Sequence, residues 1–228
     1  MQRMEEINHH PSPIVTVDVV LFTLDGECLK VLLNRRSQGP YEGVRALPGG
    51  YVHPQEDEDL ADSARRVLAQ KADLKAGYFL EQLATFSGLA RDPRGWSVSV
   101  AYYAVVPIGF VPISVFDQFV PVESAVNLPF DHERILAVAL ERLRGKSSYS
   151  SLPAFLLPER FAFGDLQSVY EAVMGVKVDG ASFRRKIDEK NMIVPVEGDM
   201  RRAAGRGRSS QMYRLTEPTL KQYTRVLS

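Results

Sequence analysis

Apolar, β-branched runs and two helical patterns in the first two thirds of the chain predict a mixed α/β domain. The strand patterns cover residues 14–23, 29–34, 79–86 and 98–107, and the helical patterns cover residues 58–71 and 133–145. The first two strand patterns are separated by Asp25-Gly26, which predicts a β-hairpin. The second helix follows Asp131-His132 and closes on Gly145. The order strands, helix, strands, helix predicts a mixed sheet with helices on its faces.

The last third of the chain shows a different pattern, which begins with a Ser- and Pro-rich stretch at residues 147–160. We interpret this stretch as a linker that docks on the first domain. Two short helical patterns follow it. The first has an apolar face and ends at Gly175, and Asp179 can cap the second, on which Phe183 and Ile187 face inward. The short connection between them is typical of a helix-turn-helix.

Two strand patterns, at residues 192–196 and 211–215, follow these helices. The loop between them is rich in Gly and Arg and carries no acidic residue from Met200 to Ser210. Such a loop can follow a nucleic-acid groove and neutralise phosphates, as the wing of a winged helix does. We therefore predict a first domain at residues 1–150 and a winged helix-turn-helix domain, with its linker, at residues 151–228.

The charge distribution supports this division. The 228-residue chain has zero formal net charge, but residues 1–150 hold 15 Lys and Arg against 19 Asp and Glu, and residues 151–228 hold 13 against 9. A short basic segment favours a nucleic-acid-binding module.

Cys28 is the single cysteine, so no intrachain disulfide can form. We expect a cytoplasmic protein, because the chain lacks a membrane-spanning apolar run and its start lacks the apolar core of a signal peptide.

The stretch LPGGYVHPQEDEDLADSARRVLAQKADL, from Leu47 to Leu74, resembles the Nudix box of pyrophosphate hydrolases. Glu58 and Arg66 match the first Glu and the Arg of that box. Val67, Gln70 and Lys71 stand where the box has its three clustered Glu. On a helix these positions share one face, and carboxylates there would hold Mg²⁺. A Val, an amide and an ammonium cannot, so we predict a protein that is not an enzyme and binds no metal.

Further motifs extend the resemblance over nearly the whole chain. Residues 93–96 (PRGW), 99–106 (SVAYYAVV) and 128–144 (LPFDHERILAVALERLR) are similar to ADP-ribose-type Nudix domains, and most of all to those of the NrtR family. That resemblance implies a Nudix-like α/β/α sandwich followed by a winged helix. It also implies a repressor of NAD-metabolism genes, whose effector is ADP-ribose or a related nucleotide and which requires no other cofactor.

The same resemblance and the residue chemistry give a set of candidate ligand-binding residues. They are Arg36, Gly49, Gly50, Glu58, Arg66, Lys71, Trp96 and Tyr102. Arginine forks bind diphosphate oxygens, glycines admit the backbone to a ligand, and aromatic rings stack on adenine. Several have structural alternatives. Arg66 is expected to pair mainly with Glu58, Trp96 could cover a sheet edge, and one of Tyr102 and Tyr103 belongs to the core.

The candidate DNA-binding residues lie on the second helix of the helix-turn-helix and on the wing. They are Ser182, Arg184, Arg185, Lys186, Arg201, Arg202, Arg206 and Arg208. A basic face near the N-terminus of a recognition helix suits the major groove of duplex DNA. RNA remains an alternative, although no aromatic platform accompanies the arginines.

These observations lead to one main hypothesis and one alternative. The main hypothesis is a homodimeric repressor whose inactive Nudix-like domain binds a nucleotide and releases a palindromic operator. The alternative is an active ADP-ribose pyrophosphatase with an accessory nucleic-acid-binding module. It would need metal ligands from the acidic residues at 56–59.

Overall fold

A six-stranded mixed sheet forms the centre of the first unit in this computed structural model, which describes residues 12–201 and 209–224. The strands of this unit are β1 (Ile14–Asp25), β2 (Cys28–Leu32), β3 (Asn34–Arg35), β4 (Arg45–Ala46), β5 (Gly49–Tyr51), β6 (Phe79–Gly88), β7 (Ser97–Val105) and β8 (Phe119–Pro121). The path through the sheet is β6-β7-β1-β2-β8, and β5 also pairs with β1. β1 and β7 are parallel and the other pairs are antiparallel, which confirms the predicted mixed sheet.

Helices cover both faces of this sheet. They are α1 (Leu60–Ala72), α2 (Ile113–Phe116) and α3 (His132–Ser147). Alternate side chains of β1 point to opposite faces of the sheet. Val19 packs in the core beneath α1, and Val20 and Phe22 pack in the core beneath α3. Because both faces are covered, β1 is apolar at nearly every position. No helix in the described ranges is both long and apolar enough to cross a bilayer.

The predicted hairpin at Asp25-Gly26 is present and joins β1 to β2. Asp25 pairs with Cys28 across the turn, and Gly26 has φ +62°, a left-handed conformation that glycine adopts without a steric penalty. The apolar run predicted as one strand over residues 29–34 divides in two. β2 ends at Leu32, and β3 starts a separate two-stranded sheet with β4.

The second unit has the fold of a winged helix. Its elements are β9 (Phe161–Ala162), α4 (Phe163–Met174), α5 (Gly180–Glu189), β10 (Ile193–Arg201) and β11 (Ser210–Leu215), with strand order β10-β11-β9. Gly175, at φ +70°, ends α4. The Asp179 carboxylate caps α5 by accepting from the Ser182 N–H at 2.8 Å. Phe183 and Ile187 are buried in the core of this unit, as their spacing predicted.

The stretch interpreted as a docked linker contains a short 3₁₀ helix at Leu152–Leu156 that packs on both units. Leu152 and Leu156 enter the core beneath α3, whereas Ala154 enters the winged-helix core. The hydroxyl of Tyr170, on α4, donates to the Ser150 carbonyl at 2.6 Å. Packed side chains and hydrogen bonds therefore join the two units. The domain boundary after residue 150 stays a prediction.

Candidate functional site

A cavity of about 390 Å³ opens beside β5, between the β3–β4 hairpin and the first turn of α3. A cavity of this size can hold a small organic ligand. Four of the residues predicted to bind ligand line it: Arg36, Gly49, Gly50 and Lys71. We call this cavity the pocket.

The floor of the pocket is a buried carboxylate, Asp18 of β1, held by a polar network. Ser99 Oγ donates to Asp18 Oδ2 at 2.6 Å, Arg91 Nη2 lies 3.4 Å from the same oxygen, and His132 Nε2 lies 3.5 Å from Oδ1. Burial raises the pKa of Asp18, but His132, Ser99 and Arg91 together outweigh burial, and the net pKa lies below its ordinary value. Gly49 must lack a side chain, because a Cβ there would overlap the Asp18 carboxylate.

Two consecutive residues fix the start of α3 to this floor. Asp131 accepts from Arg91 Nε at 3.2 Å and from Arg91 Nη2 at 2.9 Å, a bidentate pair in which the Arg91 side chain is 6% exposed. The Leu47 N–H donates to His132 Nδ1 at 3.0 Å. The proton of a neutral His132 ring therefore lies on Nε2, toward Asp18. The first turn of α3 thus forms part of the pocket wall.

Two guanidinium groups and an aromatic ring form another part of the wall. Arg94 is held by Asp92, which accepts from Arg94 Nε at 2.9 Å and from Nη2 at 2.6 Å. The hydrogen bonds from Arg94 hold the pKa of Asp92 below its ordinary value. The guanidinium carbons of Arg36 and Arg94 lie 4.8 and 5.9 Å from the centroid of the Phe130 ring. Burial first, and then repulsion from Arg94, lower the pKa of Arg36.

The charges around the pocket do not balance. Asp18 and Asp131 neutralise Arg91, and Asp92 neutralises Arg94. Within the described chain, no carboxylate lies at ion-pairing distance from the cationic groups of Arg35, Arg36 and Lys71, which also line the pocket. A surplus of cations beside an aromatic ring suits an anionic ligand with a flat ring system.

The three box positions do not fit a divalent cation. Val67 is 1% exposed and packs in the core beneath α1, facing Gly50. Gln70 and Lys71 are exposed, and Lys71, whose side chain ends in an ammonium group, lines the pocket. Mg²⁺ takes oxygen ligands, and an ammonium repels it. The α1 face that borders the pocket is therefore suited to an anion.

A second candidate site is the exposed face of α5. Arg185 has a side chain that is 72% exposed, with Glu189 at 3.8 Å as its only ion-pair partner among the described residues. Ser182 and Lys186 are half-buried on the same helix. The helix begins at its Asp179 cap, so Ser182 and Arg185 lie in its first turns, where recognition helices meet base edges.

Other predicted DNA-binding residues have partners within the protein. Arg184 contacts the rings of Phe163 and Tyr213. Arg201 Nη2 donates to Asp165 Oδ1, on α4, at 2.8 Å. Arg202, Arg206 and Arg208 lie outside the described residues.

Comparison with known proteins shows the family to which the chain belongs. Residues 153–215 match the NrtR DNA-binding winged helix domain. A relative from Acinetobacter baylyi, an ADPR responsive transcriptional repressor, is 37% identical over 211 residues, which span 90% of this chain and 83% of the relative. The chain belongs to the NrtR family. Its Nudix-like domain and winged helix are the two parts of that architecture.

Solved NrtR structures agree with this assignment along the whole chain. The crystal structure of Shewanella oneidensis NrtR complexed with a 27mer DNA matches with a TM-score of 0.83 and 34% identity, covering 94% of this chain and 99% of that one. The NUDIX domain of the same protein, complexed with ADP ribose, matches with a TM-score of 0.50 and 36% identity, covering 60% and 94%.

Four residues that the NrtR resemblance suggested as ligand-binding do not line the pocket. Trp96 is 50% exposed at the start of β7, where its carbonyl accepts from the Ile14 N–H at 3.1 Å. Tyr102 packs in the core beneath α1, whereas Tyr103, its neighbour on β7, points to the opposite core. Glu58 is exposed just before α1, and Arg66 is bound elsewhere. Roles for these four in ligand binding remain predictions.

The predicted ion pair of Arg66 with Glu58 is wrong, because Asp57 takes that place. Asp57 accepts from Arg66 Nε at 2.8 Å and from Nη2 at 2.6 Å, and also from Ser63 Oγ at 2.6 Å. The hydrogen bonds from Arg66 are the largest cause of an Asp57 pKa well below its ordinary value. Asp57 and Glu58 are adjacent in the loop before α1, and the fold of this loop directs the Asp57 carboxylate toward the arginine.

We expect Asp57→Asn to lower the free energy of unfolding by about 1–3 kcal/mol, since it leaves a largely buried guanidinium without its counter-charge. Because the folded-state pKa of Asp57 is lowered, this stabilisation is present at neutral pH and is lost as the pH falls below about 4. Urea unfolding at pH 7 and at pH 3.5 measures both effects. Glu58→Gln is the matched control. A larger loss from Glu58→Gln than from Asp57→Asn would contradict this assignment.

Sequence reasoning missed most of the residues that shape the pocket. They are Asp18, Arg91, Asp92, Arg94, Phe130 and His132. One signal was available in the sequence: Asp18 is the single charged residue of the mainly apolar run 14–23, and a buried charge requires partners. The partners lie more than 70 residues away, so the pattern could not identify them.

Proposed function

We propose that this protein is a transcriptional repressor that binds operator DNA and releases it when ADP-ribose or a closely related nucleotide enters the pocket. The observation that carries the proposal is the surplus of cations in a pocket that two aromatic rings also line, joined in one chain to a winged helix. The family relationship supports the same conclusion, because a relative is described as ADPR responsive and a solved NrtR is complexed with DNA.

The pocket supplies the chemistry that a nucleoside diphosphate sugar needs. Arg36 and Lys71 offer donors and positive charge to the diphosphate, and the Gly49-Gly50 backbone permits close approach. Phe130 and Tyr51 both line the pocket and supply aromatic rings on which the base can stack. Lys71 neutralises charge without activating water, so the ligand is bound and not cleaved.

The alternative of a working pyrophosphohydrolase finds less support in the geometry. It would recruit the acidic residues of the loop before α1, yet most of these carboxylates are engaged. Asp57 binds Arg66, and Asp59 Oδ1 caps α1 by accepting from the Asp62 N–H at 2.8 Å. Glu56 Oε2 lies 3.1 Å from His53 Nδ1. Only Glu58 has no partner among the described residues.

A titration of ADP-ribose tests the proposal. We expect saturable heat of binding, no AMP release in the presence of Mg²⁺, and the same affinity after EDTA is added, because the cations of the pocket belong to the protein. When ADP-ribose is added to the protein already bound to duplex DNA, it should displace the DNA. AMP release at enzyme-like rates would refute the receptor assignment, and loss of binding in EDTA would refute the metal-free pocket.

The wider setting follows from the family and remains part of the proposal. Operators are usually read by two-fold symmetric dimers, so we expect a homodimer on a palindromic site. The regulated genes are expected to serve NAD biosynthesis or salvage, and a chromosomal repressor acts in the cytoplasm. The effector must bind one arrangement of the winged helices better than the other, since equal affinity would shift nothing.

A further inference from the structure

Arg184 lies on the recognition helix α5, but its guanidinium group turns toward the body of the winged helix. Its central carbon lies 4.5 Å from the centroid of the Phe163 ring and 5.2 Å from that of Tyr213. Nη2 donates to the Tyr213 hydroxyl at 3.1 Å, and Nε donates to Asp188 Oδ2 at 3.1 Å. The cation is therefore held between two ring faces and two oxygen acceptors.

These contacts join three separate elements. Arg184 belongs to α5, Phe163 begins α4, and Tyr213 lies on β11, the central strand of the winged-helix sheet. Tyr213 also pairs with Pro195 of β10 and with Phe161 of β9. A side chain that connects these elements fixes the angle between the recognition helix and the strands that carry the wing.

We propose that Arg184 is a positioning residue, which sets the geometry of α5 against β10 and β11, and that Arg185 is the arginine of α5 that contacts phosphate. This inference rests on the proposed DNA-binding function. A planar guanidinium can stack on two rings while it donates two hydrogen bonds, and an ammonium cannot reproduce that arrangement. Arg185 has no ring contact in the described chain, and 72% of its side chain is exposed.

The salt dependence of DNA binding separates the two roles. Each phosphate contact that is lost reduces the slope of log affinity against log salt by about 1. A residue that acts only by positioning changes the affinity and leaves that slope unchanged. The probe is a duplex selected by the wild-type protein from a random-sequence library, and the readout is fluorescence anisotropy over a range of KCl concentrations.

We expect Arg184→Met to weaken binding about 10-fold with an unchanged slope, because hydrogen bonds to a charged group and ring stacking are lost. Arg184→Lys should not restore the affinity. Arg185→Met should weaken binding and reduce the slope by about 1. Tyr213→Phe keeps the ring but loses the hydroxyl acceptor, so it should weaken binding less than Arg184→Met, again at constant slope.

Two results would overturn the assignment of Arg184. A slope reduced by about 1 in Arg184→Met would make it a phosphate contact, and wild-type affinity in both Arg184→Met and Tyr213→Phe would remove its positioning role. If Arg184→Met fails to fold, Arg184→Lys decides instead: wild-type affinity there would make the residue a phosphate contact, because lysine keeps the charge and loses the stacked guanidinium. Failure of the wild-type protein to select any duplex would instead refute the proposed DNA-binding function.

Discussion

Replacement of Arg36 by methionine is expected to weaken ADP-ribose binding about 10- to 100-fold while the fold remains intact. Arg36 donates to the carbonyls of Pro40 and Gln38, at 2.7 and 3.4 Å, and has no carboxylate partner in the described chain. Burial and the neighbouring Arg94 both lower its pKa, which means that the protein itself under-stabilises its charged form. A diphosphate would supply the missing counter-charge, so binding should recover that energy.

The measurement is calorimetric titration of ADP-ribose, together with thermal unfolding of each variant. Arg65→Met is the matched control, because Arg65 is an exposed arginine on α1 that pairs with Asp62 outside the pocket. We expect the control to bind like the wild type. An Arg36→Met variant with wild-type affinity would mean that the diphosphate does not reach the Phe130 side of the pocket.

Replacement of Arg91 by leucine is expected to lower the free energy of unfolding by about 3–5 kcal/mol, because it leaves Asp18 and Asp131 buried without their shared cation. Burial raises the pKa of Asp18, but His132, Ser99 and Arg91 together lower it in the folded state. Its stabilisation is therefore fully present above the unfolded pKa of about 4 and is lost as the pH falls. The difference between wild type and variant should accordingly shrink below pH 4.

Chemical unfolding in urea at several pH values tests this expectation. Arg45→Leu serves as the control, since Arg45 is exposed and its replacement should stay within about 0.5 kcal/mol of the wild type. A loss below 1 kcal/mol for Arg91→Leu at pH 7 would show that the Asp18 and Asp131 carboxylates are hydrated or protonated in the native protein.

The local elements of the fold could be predicted from the sequence because their signals are local. The apolar, β-branched run of β1, the Asp25-Gly26 turn and the Asp179 cap each depend on a few neighbouring residues. The partner of Arg66 could not be predicted in this way, because the conformation of the loop before α1 decides which of two adjacent carboxylates, Asp57 or Glu58, faces the arginine.

The pocket could be predicted only in part. Gly49 was found through a family motif and Arg36 through its place at a strand end, but the polar floor assembles from β1, the loop after β6 and the start of α3. No periodicity links such distant positions. Tyr102 shows a related limit: two adjacent tyrosines on a strand point to opposite faces, and the sequence does not state which helix covers each face.

Helix α3 contacts the pocket near one end and the winged helix near the other, and this bears on how the protein would respond to a metabolite. It begins with His132 in the pocket wall, and near its other end Arg144 Nε donates to the Val173 carbonyl of α4 at 3.3 Å. Nucleotide binding and DNA binding would therefore be coupled through this helix. If the nucleotide weakens DNA binding by a given free energy, DNA weakens nucleotide binding by the same amount. Operators of different strength would therefore be released at different nucleotide concentrations, and a single receptor could switch its genes on in a fixed order.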